Sequence, residues 1–399
     1  MSKMLTAGQV LKGARDTSYA PGAVLVDDTG TIVAVGDPAT VAAHTGSGTQ
    51  HLDYGAGSTL LPGLVNAHVH LAFDASSDPV AGARDLPDEQ LLTGMAERAE
   101  QALRAGITTV RDLGDRAGLS LALREAMRRG ELLGPRILAA GAPLTSPGGH
   151  CHFLGGEVDG PQAIRERIKA HADSGGDWVK VMGNGGQMTP DGPGANDDQF
   201  TEEDLALIIT EAHSHGLPVA IHAYCASTIA TAVDAGVDSV EHCTFTSPEG
   251  PDHRDDVAAA MAQTGVVASP ALPAQWRWMW DQIGQARSQV IADRLRWLQE
   301  HGITMLTGSD AGVPVSPHDD LVSTLQCYTH IGDAPAAVLV RATTGTATAL
   351  GLGSTTGSLA PGLAADLMVV DGDPLADNLE SLRTPVAVLR GGQQVNLTP

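Results

Sequence analysis

The stretch LVNAHVHL (64–71) is the first of eight short apolar runs that recur along the chain. The others are ITTVRDL (107–113), RILAAG (136–141), DWVKVMG (177–183), LPVAIHAY (217–224), DSVEHC (238–243), GVVASPAL (265–272) and ITMLTGSD (303–310). Helix-like stretches separate these runs, for example TEEDLALIITEAHSHG (201–216), which begins and ends with capping residues. Eight strand–helix units in a row predict an α/β protein built as a (β/α)8 TIM-type barrel. A doubly wound open sheet is the competing interpretation, but no glycine-rich turn follows the first strand.

The two ends of the chain depart from this rhythm. Short strands and turns are predicted in AVLVDDTGTIVAVGD (23–37) and in DLMVVDGDP and VAVLRGGQQV (366–395). Neither end is long enough for a secure core of its own. We therefore expect residues 1–62 and 352–399 to form one small β-sandwich domain beside a hydrolase barrel of residues 63–351.

Composition excludes several classes of protein. The chain has 399 residues, 42% hydrophobic and 18% charged, as in a globular enzyme. Its net charge of −23 disfavours nucleic acid and anionic membranes as partners. The start, MSKMLTAGQVLKGARD, has no signal-peptide core, and the four cysteines show no paired spacing. We expect a cytoplasmic protein that acts on a small molecule, and a homo-oligomer is left open.

Two histidines end the first apolar run. Positions i and i+2 of a strand share a face, so His68 and His70 are expected to project together into the barrel mouth. Two nitrogen ligands on one strand suit a zinc site. Histidine pairs on strands are common, and the motif alone is weak. Its place at the carboxyl end of a barrel strand, where barrel active sites lie, favours the functional interpretation.

Four further polar residues lie in or at the end of apolar runs: Lys180, His222, His242 and Asp310. A lysine inside WVKVM is costly unless it is paired or modified. It could form a structural ion pair, or its amine could capture CO2 and become a carbamate that bridges two metals. Each of the other three could be an ordinary core polar group. Together, at the ends of strands one, four, five, six and eight, the set predicts a metal-dependent active site.

This series of ligands resembles the binuclear subtype of the amidohydrolase superfamily. The flanking motifs are similar as well, nearly from end to end: LLPGLVNAHVHL (60–71), AGITTVRDLG (105–114), GDWVKVMGNGG (176–186), GVDSVEHC (236–243), TGSDAG (307–312) and LAPGLAADLMVVDGDP (359–374). The resemblance is closest to the imidazolonepropionase-like and Xaa-Pro-dipeptidase-like group.

The resemblance implies a site for two divalent metal ions, with zinc expected. His68, His70 and Asp310 would hold the first ion, and His222 and His242 the second, with carboxylated Lys180 bridging both. A hydroxide shared by the ions would attack a carbonyl carbon. Asp310 would take its proton and pass it to the leaving group, which agrees with general acid–base chemistry at a two-metal site.

Candidate substrate residues lie near these ligands. The resemblance makes the segment PGGHCH (147–152) a substrate loop in which His150 and His152 contact the scissile carbonyl or a carboxylate. A further metal site and plain surface histidines are the alternatives. Tyr224 shares a strand face with His222 and resembles a substrate-binding tyrosine of the related dipeptidases, although it could simply pack at the rim. The cluster WRWMW (276–280) could be an aromatic wall for an apolar substrate or an oligomer contact.

The expected function is metal-dependent hydrolysis of an amide bond in a dipeptide or an N-acyl amino acid with a free carboxylate. The alternative is hydrolysis of a lactone, a cyclic imide or a heterocyclic C–N bond in a specialised metabolite. A deaminase is disfavoured, because such relatives resemble mononuclear sites without the bridging lysine. A non-catalytic homologue is disfavoured because all six ligand types are intact.

Overall fold

The computed structural model describes residues 1–13 and 18–398. Part of the predicted terminal domain, residues 14–17, therefore lies outside the described residues. The amino-terminal strands are β1 (Lys3–Ala7), β2 (Gln9–Leu11), β3 (Ser18–Tyr19), β4 (Gly22–Val26), β5 (Ile32–Gly36), β6 (Gln50–Asp53) and β7 (Ser58–Pro62). The central strands are β8 (Leu64–Val69), β9 (Ile107–Asp112), β10 (Arg136–Ala139), β11 (Val179–Met182), β12 (Val219–Cys225), β13 (Ser239–Ser247), β14 (Gly250–Pro251) and β15 (Val267–Ser269). The carboxyl-terminal strands are β16 (Leu367–Asp371), β17 (Pro385–Arg390) and β18 (Gln393–Gln394).

Thirteen α-helices separate the strands of the described residues or follow them along the chain. They are α1 (Pro38–Ala42), α2 (Pro79–Asp85), α3 (Asp88–Arg104), α4 (Leu119–Arg128), α5 (Gly160–Asp173), α6 (Glu202–Ser214), α7 (Ala226–Asp234), α8 (Asp255–Thr264), α9 (Trp276–Ile283), α10 (Gln285–Glu300), α11 (Leu321–His330), α12 (Pro335–Val340) and α13 (Thr346–Ala349). Helix α6 begins as its sequence predicts, because the Thr201 hydroxyl accepts a hydrogen bond from Asp204 N at 3.1 Å. Within the described range, no helix combines the length and apolar character needed to cross a membrane.

The central strands pair in parallel, except that the short β14 pairs antiparallel with the end of β13. Strand β9 lies between β8 and β10, and β12 and β13 lie between β11 and β15. The two groups meet where Leu144 N donates to Lys180 O at 2.8 Å. Parallel strands joined by helices confirm the predicted α/β class.

The eighth apolar run is less regular than predicted, because it pairs through single bridges rather than a continuous ladder. Leu306 N donates to Ala268 O at 2.8 Å on one side, and Ala67 N donates to Thr307 O at 2.7 Å on the other. Hydrogen bonds thus connect the last run both to β15 and back to β8. The run ends at Asp310, whose φ of 54° departs from the extended conformation.

The terminal strands form two sheets. The sheet β5-β4-β1-β6 is built from the amino-terminal end alone, and the sheet β18-β17-β16-β7-β2-β3 joins strands from both ends. Strand β7 pairs antiparallel with β16, so that Leu60 faces Val369. Buried side chains of the two sheets share one apolar core, which includes Leu5, Ile32 and Leu389. The two ends thus share a joint sheet, and the domain boundaries at residues 62 and 352 stay a prediction.

Candidate metal centre

A cavity of about 810 Å³ opens at the carboxyl ends of the central strands. Five of the six predicted ligands line it: His70, Lys180, His222, His242 and Asp310. The sixth, His68, lies directly beside them and is almost fully buried. The parallel strands bring these residues together because their carboxyl ends share one face of the protein.

The first cluster consists of His68, His70 and Asp310. The Asp310 Oδ1 atom lies 3.4 Å from His68 Nε2 and 3.3 Å from His70 Nε2. One ligand atom from each of the three residues lies within 4.8 Å of the others. Two imidazole nitrogens and one carboxylate oxygen are a donor set that suits a divalent transition metal.

Both histidines of the first cluster are held in one tautomer. The Nδ1 atom of His68 lies 2.7 Å from Glu241 Oε2, and that of His70 lies 3.2 Å from Gly114 O. An ionised carboxylate and a carbonyl only accept, so each Nδ1 carries the hydrogen. Each Nε2 is therefore the ring nitrogen that faces Asp310 and is available to a metal ion.

The second cluster consists of His222 and His242. Nδ1 of His222 lies 2.9 Å from Nε2 of His242, and Nε2 of His222 donates to Gly185 O at 3.2 Å. Burial lowers the pKa of His242 to about 3, so this imidazole is neutral at physiological pH. Two neutral ring nitrogens lie side by side at the cavity floor, and they fit a second ion.

Lys180 lies between the two clusters, on β11, with 1% of its surface exposed. Burial lowers the pKa of Lys180 to about 8, although Glu241 and Asp310 partly oppose this effect. A buried amine that loses its proton easily can attack CO2 as a nucleophile. These surroundings fit the carbamate interpretation.

Two ligands have unusual backbone conformations. His242 has a φ of 64° and Asp310 a φ of 54°, in the left-handed region that non-glycine residues seldom adopt. Such conformations cluster at functional sites, where the surrounding structure compensates for their cost. His242 lies within β13 and Asp310 ends the eighth run, and both side chains line the cavity.

A buried ion pair that sequence reasoning missed supports the first cluster. Arg111 Nη2 donates to Glu241 Oε1 at 2.7 Å, and both residues have 0% exposure. Burial disfavours ionisation of Glu241, but Arg111 and His68 outweigh it and hold the pKa of Glu241 well below its usual range. The signal was present in the motifs ITTVRDL and DSVEHC, where charged residues interrupt apolar strands.

Asn184 was also missed as a supporting residue. Its side chain accepts from Tyr224 N at 2.8 Å and donates to Thr228 Oγ1 at 2.9 Å. It thereby fastens the loop whose next residue, Gly185, accepts the hydrogen bond from His222. The glycine-rich segment after β11 orients a predicted ligand.

The structure separates the predicted substrate residues. His150 and Tyr224 line the cavity, and their rings lie 4.9 and 4.7 Å from that of His222. Burial lowers the pKa of His150 to about 4, and its Nδ1 lacks a hydrogen-bond partner among the described residues. His152 begins a short 3-10 turn and is not part of the described cavity lining. The substrate role of all three remains a prediction.

The tryptophans of the segment 276–280 also differ in position, because only one of them lines the cavity. Trp276 and Trp280 on α9 are buried in the core, whereas Trp278 is 53% exposed and lines the cavity.

The two cysteines beside predicted ligands, Cys225 and Cys243, are free and buried. Burial raises the pKa of Cys243 to about 12, so this thiol is inert.

Comparison with known proteins agrees with this geometry. The profile of the amidohydrolase family matches residues 59–395. Ochratoxinase of Aspergillus niger is 26% identical over 363 residues, covering 82% of this chain and 73% of the enzyme. Imidazolonepropionase of Symbiobacterium thermophilum is 27% identical over 403 residues, covering 91% and 88%. A crystal structure of a Xaa-Pro dipeptidase with bound methionine superimposes with a TM-score of 0.83 at 26% identity, covering 99% of both chains.

Proposed function

Because this chain belongs to the amidohydrolase family, in its imidazolonepropionase-like and prolidase-like group, we propose that it is a metal-dependent enzyme that cleaves a peptide-like bond. The coarser statement, that it is a hydrolase of C–N bonds, follows from the family and its hydrolase relatives. The finer proposal is that the substrate is a dipeptide or an N-acyl amino acid. A cytoplasmic location and a homo-oligomer remain predictions.

We also infer that the eight parallel runs close into a (β/α)8 barrel. The hydrogen bonds that join the last run to both β15 and β8 support this closure. The barrel explains why ligands from distant parts of the sequence share one cavity, since barrel active sites are built at the carboxyl ends of the strands. The shared core of the terminal sheets supports a separate small β-domain.

The convergence of His68, His70 and Asp310 is the observation that carries the metal dependence. These residues would hold one ion, His222 and His242 a second, and carboxylated Lys180 would contact both. Lys180 would gain its carbamate when Nζ bonds to the carbon of CO2 and releases a proton. Bound divalent ions supply a water molecule of lowered pKa and polarise a carbonyl group.

The side chains of the protein would provide the remaining chemistry. Burial opposes ionisation of Asp310, but His68 and His70 outweigh it and keep the pKa of Asp310 below its usual range. Asp310 is thus ionised, as a group that would accept a proton from the attacking water must be. Asp310 would then donate this proton to the leaving nitrogen as the C–N bond breaks.

His150 and Tyr224 support a substrate with a free carboxylate. Both line the cavity close to the second cluster, and both can present a hydrogen-bond donor. The net charge of −23 repels anions at long range, so local donors must supply the attraction. A charged hydrogen bond contributes roughly 1.5–3 kcal/mol.

The test combines metal analysis with a matched substrate library. We expect two ions per chain, and a kcat/KM at least about tenfold higher for dipeptides and N-acyl amino acids than for their methyl esters. Lactones and cyclic imides complete the library. A purified protein that binds metal but hydrolyses only those neutral compounds would contradict the dipeptidase-like proposal. A protein that binds no metal under any loading condition would contradict the metal centre itself.

A further inference from the structure

Part of the cavity lining consists of apolar side chains. Its residues come from the segments that follow β8, β15 and the eighth run, and we call them the α9 wall: Phe73, Pro273, Trp278, Met279, Val313 and Val315. The indole nitrogen of Trp278 is the single polar side-chain atom among these six residues. A wall of this kind binds apolar groups and offers no partner for a carboxylate.

Trp278 is held on this wall by the helix that carries it. Trp276 and Trp280 lie one turn apart on the buried face of α9, with 2% and 8% exposure. Trp276 Nε1 also donates to Ser323 O at 2.7 Å, which fastens the helix to α11. Trp278, at 53% exposure, therefore points into the cavity from an anchored helix. A large apolar side chain left exposed in a cavity marks a binding surface.

Backbone strain in the cavity lining is a second, independent indication that this surface binds a ligand. Ala271 and Val315, which both line the cavity, have φ values of 51° and 64°. A β-branched residue in the left-handed region is a true outlier. Strain of this kind persists where the surrounding structure compensates for it, and it clusters at ligand-binding sites.

A buried serine ties the strained segments to the metal site. Ser316 Oγ donates to Ser309 O at 2.5 Å and accepts from Ala274 N at 3.4 Å. In addition, Gln275 N donates to Val315 O at 3.1 Å. Because Ser309 precedes the ligand Asp310, the wall is positioned relative to the metal centre before substrate arrives, and a preformed subsite costs less ordering on binding.

The cavity lining also carries the hydrogen-bonding groups His150 and Tyr224, whose rings lie 4.9 and 4.7 Å from that of His222. The guanidinium of Arg84, which also lines the cavity, is already paired with Asp85 at 2.7 Å. A substrate whose scissile bond lies over the predicted ligands has two ends that the remaining lining must hold. The free carboxylate needs donors, so the amino-acid end belongs beside His150 and Tyr224. The acyl end is left for the α9 wall.

We propose that the α9 wall is the acyl subsite, and that the enzyme is selective for N-acyl amino acids with a bulky apolar or aromatic acyl group. This inference rests on the proposed function. Hydrolysis forms a bond from the water oxygen to the acyl carbon, breaks the C–N bond and moves a proton to the leaving nitrogen. The acyl chain takes no part in these steps, so the wall affects selectivity.

The kinetic test compares N-acetyl-L-alanine with N-(3-phenylpropanoyl)-L-alanine on the metal-loaded enzyme. We expect the wild type to favour the phenyl compound by roughly tenfold or more in kcat/KM, because a ring buried on apolar surface contributes on this scale. Trp278→Ala should abolish most of this preference, mainly through a higher KM for the phenyl compound, because the apolar surface that holds the ring is lost. Leu132→Ala, an exposed leucine outside the cavity, is the matched control and should keep the preference.

A binding experiment keeps the inference testable without turnover. Calorimetry with acetate and 3-phenylpropanoate, the two acyl products, should give tighter binding of the phenyl compound to the wild type and a lost difference in Trp278→Ala. Equal binding of both acids to the wild type, or a preference unchanged in Trp278→Ala, would overturn the acyl subsite. Tighter binding of 3-phenylpropanoate without hydrolysis of either amide would instead contradict the proposed function and support the subsite.

Discussion

The two halves of the candidate metal centre are built differently. The half formed by His68, His70 and Asp310 is supported by ionised groups, because His68 donates to Glu241 and Glu241 is paired with Arg111. In the half formed by His222 and His242, a neutral carbonyl, Gly185 O, holds His222, and the two rings face each other.

The difference lies in where the negative charge comes from. Asp310 brings a carboxylate directly into the first half, and Glu241 adds another behind it. The second half has two neutral imidazoles and the amine of Lys180, and none of these is an anion. A cation bound by His222 and His242 needs a negative charge beside it, and the unmodified side chains of this half do not supply one. The second half should therefore depend on carboxylation of Lys180, whereas the first should not.

The largest expected effect comes from Lys180→Ala. The variant should lose the second ion and keep the first, and kcat should fall on the order of 10⁴-fold, because two-ion water activation is lost. Short carboxylic acids should partly restore both. Metal content per chain and kcat with added formate or acetate measure this. Lys169→Ala, an exposed lysine on α5, is the control. Full metal content in Lys180→Ala would remove the asymmetry between the halves.

Asp310→Asn should separate metal binding from proton transfer. The amide oxygen can still coordinate, but it cannot carry the proton, so we expect at least one ion and a kcat lowered by about 10²–10⁴-fold with a small change in KM. Asp293→Asn, an exposed aspartate on α10, is the control. Turnover within a few-fold of wild type would exclude Asp310 as the proton carrier.

Glu241→Gln tests the ionic support of the first half. Loss of the carboxylate charge should weaken the first ion by about 10- to 100-fold and leave the second nearly unchanged. Chelator-driven metal release measures the affinity, and nitrogen NMR of the metal-free protein reports whether His68 keeps its tautomer. The control is Glu211→Gln, which removes the charge from a Glu–His pair on the surface. An unchanged release rate would show that Arg111 and Glu241 act only in packing.

The smallest effect is expected from Asn184→Ala. This substitution loosens the loop that holds His222, but Gly185 N still donates to Asp197 O at 3.2 Å. We expect the second ion to be released faster by no more than about tenfold, at the lower limit for residues that orient a ligand. Asn396→Ala, near the carboxyl terminus, serves as control. A larger effect than that of Glu241→Gln would reverse the comparison between the halves.

The sequence indicates the six candidate ligands because their signals are local. The period of two in a strand puts His68 and His70 on one face, and apolar runs mark where each strand ends. The Arg111–Glu241 pair joins residues 130 positions apart, and no local pattern specifies such a partner. The position of His152 outside the cavity lining and the orientation of Trp278 depend on how the segments after the strands fold, and such connections are the least predictable parts of a chain.

The sequence by itself determined the α/β class, the joint terminal strands and the types of ligand at the strand ends, since alternation, capping and apolar runs operate over a few residues. Tertiary structure decided which groups become neighbours. It chose the tautomers of His68 and His70, buried Lys180 in surroundings that lower its pKa, and lined one cavity with both donor groups and the α9 wall. These outcomes require contacts between segments that only the folded chain brings together, because desolvation and ion pairing depend on distance in space rather than on position in sequence.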